Sequence, residues 1–176
     1  PRGEICGAAR AILADRRIAD LSMRTLATEV GVRPNALYWH FPNKQTLLAA
    51  LSDDILATVP LPASSIPFDD ALRTLADGMR AALLAVPDSA EIVSSSWASG
   101  LASKTIVDDV AATARTGGLT GRDAAATATA ICQLVIGLTI EEQTRAQMER
   151  LQVIGPSGRD FVTVFHDALS AILSGT

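Results

Sequence analysis

Apolar residues recur every three to four positions along almost all of this 176-residue sequence, and no apolar–polar alternation persists. That spacing is the period of amphipathic helices, whereas strands alternate with a period of two. With 48% hydrophobic and 19% charged residues, the chain has ample material for a packed core and does not fit the disordered class. The sequence therefore predicts an all-α fold.

Capping residues, glycines and prolines divide this pattern into about nine predicted helices. They cover approximately residues 3–18, 22–30, 34–40, a segment beginning near Asn43, and then 68–86, 88–99, 101–115, 120–149 and 158–174. Residues 59–67 contain three prolines and two serines, which is typical of a linker. We therefore expect two helical domains, a smaller one in residues 1–58 and a larger one in residues 59–176.

Charge is distributed unevenly along the chain. Residues 1–58 contain seven basic and six acidic residues, whereas the remainder contains eight basic and thirteen acidic ones. The net charge of −4 therefore belongs to the rear of the chain. This asymmetry is compatible with nucleic-acid binding through the front end alone.

The cysteines and the longest apolar run both indicate a reduced, cytoplasmic protein. Cys6 and Cys132 lie far apart in apolar helical patterns, so we expect both to be reduced core residues. The uncharged run at residues 124–140 is short and contains threonines and a glutamine, which favours a buried helix over a membrane span. No spacing indicates a metal or a cofactor, no signal peptide is visible, and the start at Pro1 is compatible with a missing N-terminal arm.

Residues 21–44 have the spacing of a helix-turn-helix. Ser22 is a good N-cap for a short helix, and its apolar face consists of Leu26, Ala27 and Val30. Gly31 can take the positive φ of a tight turn, and we expect Val32 and Leu37 to close the small core from the other side. In this motif the second helix enters the major groove of DNA.

The second helix of the motif carries an aromatic cluster. Tyr38, Trp39 and Phe41 place three of the seven aromatic residues of the chain within four positions, beside His40. On a helix these three rings cannot all face the same core, so some must be exposed and need a partner. We expect Phe41 to be buried; the alternative is that all three rings cement the three-helix core.

Residues 37–44 and 26–32 together resemble the signature of the tetracycline-repressor (TetR) family, in register with a helix before and a helix after. The similarity covers roughly the first 58 residues, and the Tyr-Trp-His form is most similar to the tetracycline repressors. It implies a ligand-responsive repressor that binds a pseudo-palindromic double-stranded DNA operator as a homodimer. The residues that the family pattern places on DNA are Arg24, Arg33, Pro34, Asn35, Ala36, Tyr38, Trp39, His40 and Lys44.

The resemblance implies different roles for these residues. Pro34, Asn35 and Ala36 lie where base edges are read, while Tyr38, His40 and Lys44 contact phosphates. Trp39 packs beside the DNA backbone or supports the helix. Arg24 reaches a guanine edge or a phosphate. Arg33 lies where members of the family vary, and we expect its guanidinium to supply a base contact.

The resemblance implies that the rear domain binds a small-molecule effector and dimerises. The interior of the helices over residues 68–115 is the default place for a pocket. Its expected lining is Met79, Leu83, Trp97, Leu101, Ile131 and Gln133. The resemblance implies that the last two helices pair across a dimer, and the wide apolar stripes on them suggest an interface formed by Ala128, Val135, Phe165, Leu169 and Ile172.

The effector is expected to be neutral, largely hydrophobic and different from tetracycline. The resemblance implies that tetracycline repressors hold their drug as a magnesium chelate through histidine and acidic groups. Here the two histidines, His40 and His166, both lie outside residues 68–115.

Three alternatives compete with the repressor interpretation. An enzyme is not expected, because no nucleophile, base or metal set is singled out by spacing. A helical small-molecule-binding or interaction protein without DNA binding is one alternative to the repressor, and an activator is another.

Overall fold

The computed structural model describes residues 2–156 and 158–175, and within them the chain forms nine α-helices and no strand. The helices are α1 (Arg2–Asp15), α2 (Met23–Val30), α3 (Pro34–Tyr38), α4 (Lys44–Leu56), α5 (Phe68–Leu84), α6 (Ser89–Ala98), α7 (Thr105–Thr116), α8 (Gly121–Arg150) and α9 (Phe161–Ser174). The predicted all-α class is confirmed, and every predicted helix has its counterpart.

The helix ends differ from the predicted ones where capping decides them. The last helix begins at Phe161 rather than near 158, because the Asp160 carboxylate accepts hydrogen bonds from the amides of Val162 (3.0 Å) and Thr163 (3.1 Å). The side chain and amide of Thr163 hold the pKa of Asp160 below its usual value, so this exposed cap is ionised at neutral pH.

The chain divides into two compact units. The first comprises the described residues up to Thr58 together with Leu83–Ser103, and the second comprises Val59–Ala82 together with the described residues from Lys104 onward. The sequence did not indicate that α6 belongs with α1–α4. The assignment of DNA binding to residues 1–58 and of ligand binding and dimerisation to residues 59–176 stays a prediction.

In the first unit, α4 packs against both α1 and α6. The inward faces predicted for α1 and α4 are confirmed, since each of their predicted residues is at most 9% exposed. These residues are Ile5, Ala9, Ile12, Leu13, Leu47, Leu48, Leu51 and Ile55. The helix-turn-helix is joined to these helices through α2, which packs against both α1 and α3.

In the second unit, α8 packs along α7 on one side and α9 on the other. Its 30 residues would suit a membrane span by length and composition, with a mean hydropathy of 1.5 over the most apolar window. Core helices of globular proteins have the same composition, and the inward face of α8 is filled by fully buried residues such as Ile131 and Val135. The packing thus accounts for the apolar character of α8.

Both cysteines are free and buried, as predicted. Burial raises the pKa of the Cys132 thiol to about 12 and also raises the pKa of Cys6. Both thiols are therefore protonated at neutral pH and behave as small apolar side chains.

Candidate nucleic-acid interface

The helix-turn-helix begins with a capped α2. Ser22 Oγ accepts a hydrogen bond from the Thr25 amide at 3.0 Å, and Thr25 Oγ1 donates to the Asp20 carbonyl at 3.2 Å. The first bond satisfies an amide that has no partner within the helix itself. The predicted N-cap is confirmed.

The turn after α2 depends on a glycine. Gly31 has a φ of 74°, and the next amide, that of Val32, donates back to the Ala27 carbonyl at 2.9 Å. A side chain at Gly31 would strain this left-handed conformation, so the predicted role of the glycine is confirmed. The prediction for Val32 is wrong: the turn leaves it 40% exposed, while Leu37, at 1%, closes the core.

The aromatic cluster of α3 splits between core and solvent. Phe41 is fully buried, with the Arg2 guanidinium 4.8 Å from its ring centroid, whereas Trp39 is 90% and Tyr38 47% exposed. The alternative in which all three rings cement the core is therefore wrong. An indole so fully exposed on a surface helix calls for a partner outside the chain.

The residues expected on DNA lie at the surface around this indole. Arg24, Arg33, Pro34, Asn35, Ala36, Tyr38, Trp39 and His40 are all exposed. The side chains of Arg24 and Arg33 form no hydrogen bond or ion pair with another residue in the part of the chain that the structure describes. Two cationic side chains and one amide side chain, that of Asn35, are thus available for bases and phosphates.

Lys44 differs from the other expected DNA contacts. It is the first residue of α4, which Asn43 caps by accepting from the Thr46 amide at 2.9 Å. Lys44 is half-buried, and its Nζ donates to the Ile18 carbonyl at 2.9 Å. The ammonium carries three donors, so one bond inside the protein leaves two for a phosphate.

The residues expected to bind an effector are distributed over both units. Leu83, Trp97 and Leu101 belong to the first unit, and Met79, Ile131 and Gln133 to the second. Met79, Leu83, Trp97 and Ile131 are buried, whereas Leu101 is 50% exposed and Gln133 lies on the solvent side of α8. The role of all six residues in binding an effector stays a prediction.

Two polar groups near the end of α6 lack partners. The indole Nε1 of Trp97 and the hydroxyl of Ser96 are buried without a hydrogen bond in the described structure, although the two residues are only 7% and 3% exposed. A buried donor without an acceptor costs about 1–3 kcal/mol. Such groups are the usual polar anchors of a pocket whose lining is otherwise apolar.

The predicted dimer interface requires a correction. Ala128, Val135, Phe165 and Leu169 are at most 1% exposed within a single chain, so they cannot form a surface for a second copy. The apolar faces that carry these residues are buried within the chain, where α8 packs against α7 and α9. Of the five predicted residues, Ile172 alone is partly exposed.

Family models match both parts of the chain. Residues 5–51 match the bacterial regulatory proteins of the tetR family, and residues 61–156, more than half of the chain, match the tetracyclin repressor-like C-terminal domain. The chain belongs to the TetR family. The expectation drawn from residues 26–44 is thereby confirmed, and the rear of the chain, where the resemblance was loose, belongs to the same family.

Solved structures extend this TetR assignment over the whole chain. The crystal structure of Mycobacterium smegmatis BioQ is similar with a TM-score of 0.90 and 38% identity, over 99% of this chain and 96% of that one. The structure of BioQ with its natural double-stranded DNA operator is similar with a TM-score of 0.83 and 36% identity, over the same shares.

The tetracycline repressors are matched over less of their length. The class D tetracycline repressor of Escherichia coli is 37% identical over 94 residues, which are 52% of this chain and 43% of that repressor. The matched segment thus spans less than half of the length of that relative.

The sequence did not predict the long-range polar contacts around the helix-turn-helix of α2 and α3. The Ile18 carbonyl accepts from Lys44 Nζ, and the His40 carbonyl accepts from Arg2 Nη2 at 3.2 Å. The Asp88 carboxylate accepts from the amide of Ile18, which lies 70 positions earlier in the sequence. Hydrophobic periodicity reports on the faces of one helix and does not pair distant polar groups. The one available signal was Asp88 itself, a charged residue beside the predicted stop at residues 86–87.

The acidic, histidine and cysteine side chains of the described residues form no metal-binding cluster. No three His, Cys, Asp or Glu side chains lie close enough there to hold a metal. His166 Nε2 lies 3.1 Å from Asp77 Oδ1, and both side chains are half-exposed. The family model describes regulatory proteins, and the exposed His166–Asp77 pair does not point to another activity.

Proposed function

We propose that this chain is a ligand-responsive transcriptional repressor that acts in the cytoplasm without catalytic activity. It binds a pseudo-palindromic double-stranded DNA operator as a homodimer and is released by a small, largely hydrophobic effector. The observation that carries the proposal is the exposed α3 surface around Trp39, standing on a capped α2 and a glycine turn. BioQ, a similar protein over the whole chain, was crystallised with its natural DNA operator.

The proposed division of labour on DNA follows from side-chain chemistry. Arg33 and Asn35 flank the first residue of α3, and their guanidinium and amide groups suit guanine and adenine edges. Lys44 supplies a point charge for a phosphate. Two recognition helices would read half-sites about one helical turn, roughly 34–36 Å, apart.

Replacing Lys44 by alanine is expected to weaken binding on every DNA sequence and to flatten the salt dependence by about one phosphate contact. Fluorescence anisotropy with DNA from upstream of the protein's own gene, at several salt concentrations, measures both. Lys104→Ala, which removes the only other lysine of the sequence, is the matched control and should leave both the affinity and the salt dependence unchanged.

Replacing Asn35 by alanine should instead change the base preference of the protein by about 1–3 kcal/mol at one position of the operator.

Three results would contradict this division. A wild-type protein that binds operator and scrambled DNA equally would favour the helical binding protein without DNA binding. An unchanged salt slope in Lys44→Ala would remove the phosphate role. Equal losses on all sequences in Asn35→Ala would remove the base-reading role.

The proposed effector is a neutral apolar molecule with a hydrogen-bond acceptor. Trp97 Nε1 is a donor only, and together with the Ser96 hydroxyl it would satisfy a carbonyl or ether oxygen. Such a molecule must bind the DNA-incompetent arrangement more tightly, by about 1–3 kcal/mol, to release the operator. An acceptor that supplies the missing hydrogen bonds contributes to that difference.

Tetracycline with magnesium is expected to leave the operator complex intact at micromolar concentrations. The described residues contain no cluster suited to a metal, and both histidines lie on exposed surfaces outside the proposed pocket. Anisotropy of the complex during a titration tests this, with the class D repressor and its own operator as the positive control. Release at micromolar drug would show that the pocket accepts the chelate after all.

A further inference from the structure

The first turn of α1 carries a cation that does not stabilise the helix. Arg2 lies where the free amides of a helix start give a partial positive charge, which favours acidic side chains and disfavours basic ones. Glu4, in the same turn, has the favourable sign. The stability of α1 therefore does not explain why an arginine stands at position 2.

Two contacts hold the Arg2 side chain against the segment that follows α3. Its Nη2 donates to the His40 carbonyl at 3.2 Å, and its guanidinium carbon lies over the Phe41 ring, 4.8 Å from the ring centroid. A guanidinium and an aromatic ring attract each other at this distance. Both partners directly follow Tyr38 and Trp39, so Arg2 lies at one end of the exposed α3 surface.

Most of the hydrogen-bonding capacity of Arg2 is unused. An arginine side chain has five N–H donors, and within residues 2–156 and 158–175 Arg2 uses one of them and forms no ion pair. The residue is exposed to solvent. Because two contacts already restrict its side chain, Arg2 loses less conformational entropy on binding a further group than an arginine that no contact holds.

We propose that Arg2 is a phosphate contact of the DNA-binding motif, in addition to Tyr38, His40 and Lys44. This inference rests on the proposed function, because it requires that the α3 surface lie on DNA. The carbonyl that Arg2 binds belongs to His40, so the guanidinium lies beside a residue proposed for the DNA backbone. One guanidinium can give two parallel N–H donors to a phosphate, and such a contact reads no base.

Replacing Arg2 by glutamine tests the contact, because glutamine keeps an amide donor but carries no charge. Operator affinity should fall about tenfold, and the salt dependence should flatten by about one phosphate contact per subunit. Fluorescence anisotropy at several salt concentrations measures both. Arg115→Gln, which removes the charge of an exposed arginine on α7 in the second unit, is the matched control and should leave the salt dependence unchanged.

Operators in which one phosphate at a time is replaced by an uncharged methylphosphonate locate the contact. At one position in each half-site, this replacement should weaken binding by the wild type and by Arg115→Gln but leave the affinity of Arg2→Gln nearly unchanged, because the guanidinium and that phosphate act as a pair. Arg2→Lys keeps the charge without the planar fork of donors. It should retain the salt dependence and lose less affinity than Arg2→Gln.

A purely structural role of Arg2, as a cover for Phe41, gives different results. Affinity would then fall together with the urea midpoint while the salt dependence stayed that of the wild type, which would overturn the proposal. Equal losses of Arg2→Gln and the wild type at every methylphosphonate position would also overturn it, with the proposed function intact. A wild-type protein that binds operator and scrambled DNA equally would overturn the proposed function and this inference together.

Discussion

Replacing Gly137 by arginine is expected to convert the proposed homodimer into monomers and to weaken operator binding by at least about a hundredfold, because a single half-site loses the gain from linked binding. Gly137 lies on the exposed side of α8, and its Cα faces open space: apart from the backbone of α8 itself, no atom lies within 4 Å of the position of a Cβ atom there. Arginine also has a higher helix propensity than glycine, so α8 itself should not be weakened. Light scattering and DNA anisotropy on the same sample measure both effects.

The surface proposed for this dimer replaces the buried stripe. Ala126, Ala130, Gln133 and Gly137 recur at helical spacing on the exposed side of α8, and Ile172 of α9 is partly exposed. Small residues allow two helices to approach closely, which a long charged side chain prevents.

Two control variants make the Gly137 result interpretable. Ala81→Arg places the same charge on the exposed side of α5 and should leave the dimer intact. Leu169→Asp, in the buried stripe, should lower the thermal midpoint and unfold the second unit. A Gly137→Arg protein that remains dimeric would show that the partner surface lies elsewhere.

The aromatic residues at positions 39 and 41 are expected to respond oppositely to truncation. Phe41→Ala should destabilise the first unit by about 3–5 kcal/mol, because it empties a fully buried site under Arg2. Trp39→Ala should leave stability within about 0.5 kcal/mol, because the indole is 90% exposed, yet weaken operator binding about tenfold or more. Urea unfolding followed by circular dichroism, together with DNA anisotropy, separates the two effects.

Comparing the stability and the DNA affinity of Phe41→Ala and Trp39→Ala shows which of the two rings supports the core and which serves the surface. Val153→Ala, which truncates a side chain that is 69% exposed and lies in the second unit, is the control and should leave both measurements close to those of the wild type. A stable Trp39→Ala protein with full DNA affinity would mean that the exposed indole serves another partner.

The helices were predictable because their signals are local. Ser22 and Asn43 cap their helices within three residues, and Gly31 ends α2 by its own conformational freedom. The same locality made Phe41 recognisable as a core residue, since only one of three clustered rings can follow Leu37 inward. The reading of residues 26–44 as a DNA-binding motif rested on such short-range features.

The sequence predictions failed where an apolar helix face could pack either within the chain or against a second copy. They also failed where a contact joins residues far apart in the sequence. The apolar faces of α8 and α9 look alike whether they pack within one chain or between two, and Leu169 turned out to face inward. Val32 was expected inside because it is apolar, but the turn at Gly31 directs it outward. The hydrogen bond from the Ile18 amide to Asp88 joins residues 70 positions apart, and hydrophobic periodicity carries no information about such a contact.

The sequence contains two tryptophans, and the structure places them in opposite environments, Trp39 in solvent and Trp97 in the interior. Indole emission shifts to the blue and becomes less accessible to quenchers when the ring leaves water. The protein therefore carries two intrinsic optical probes, a red-emitting one on the α3 surface and a blue-emitting one on α6. Acrylamide quenching would follow the first, and the residual blue band the second, without any attached dye.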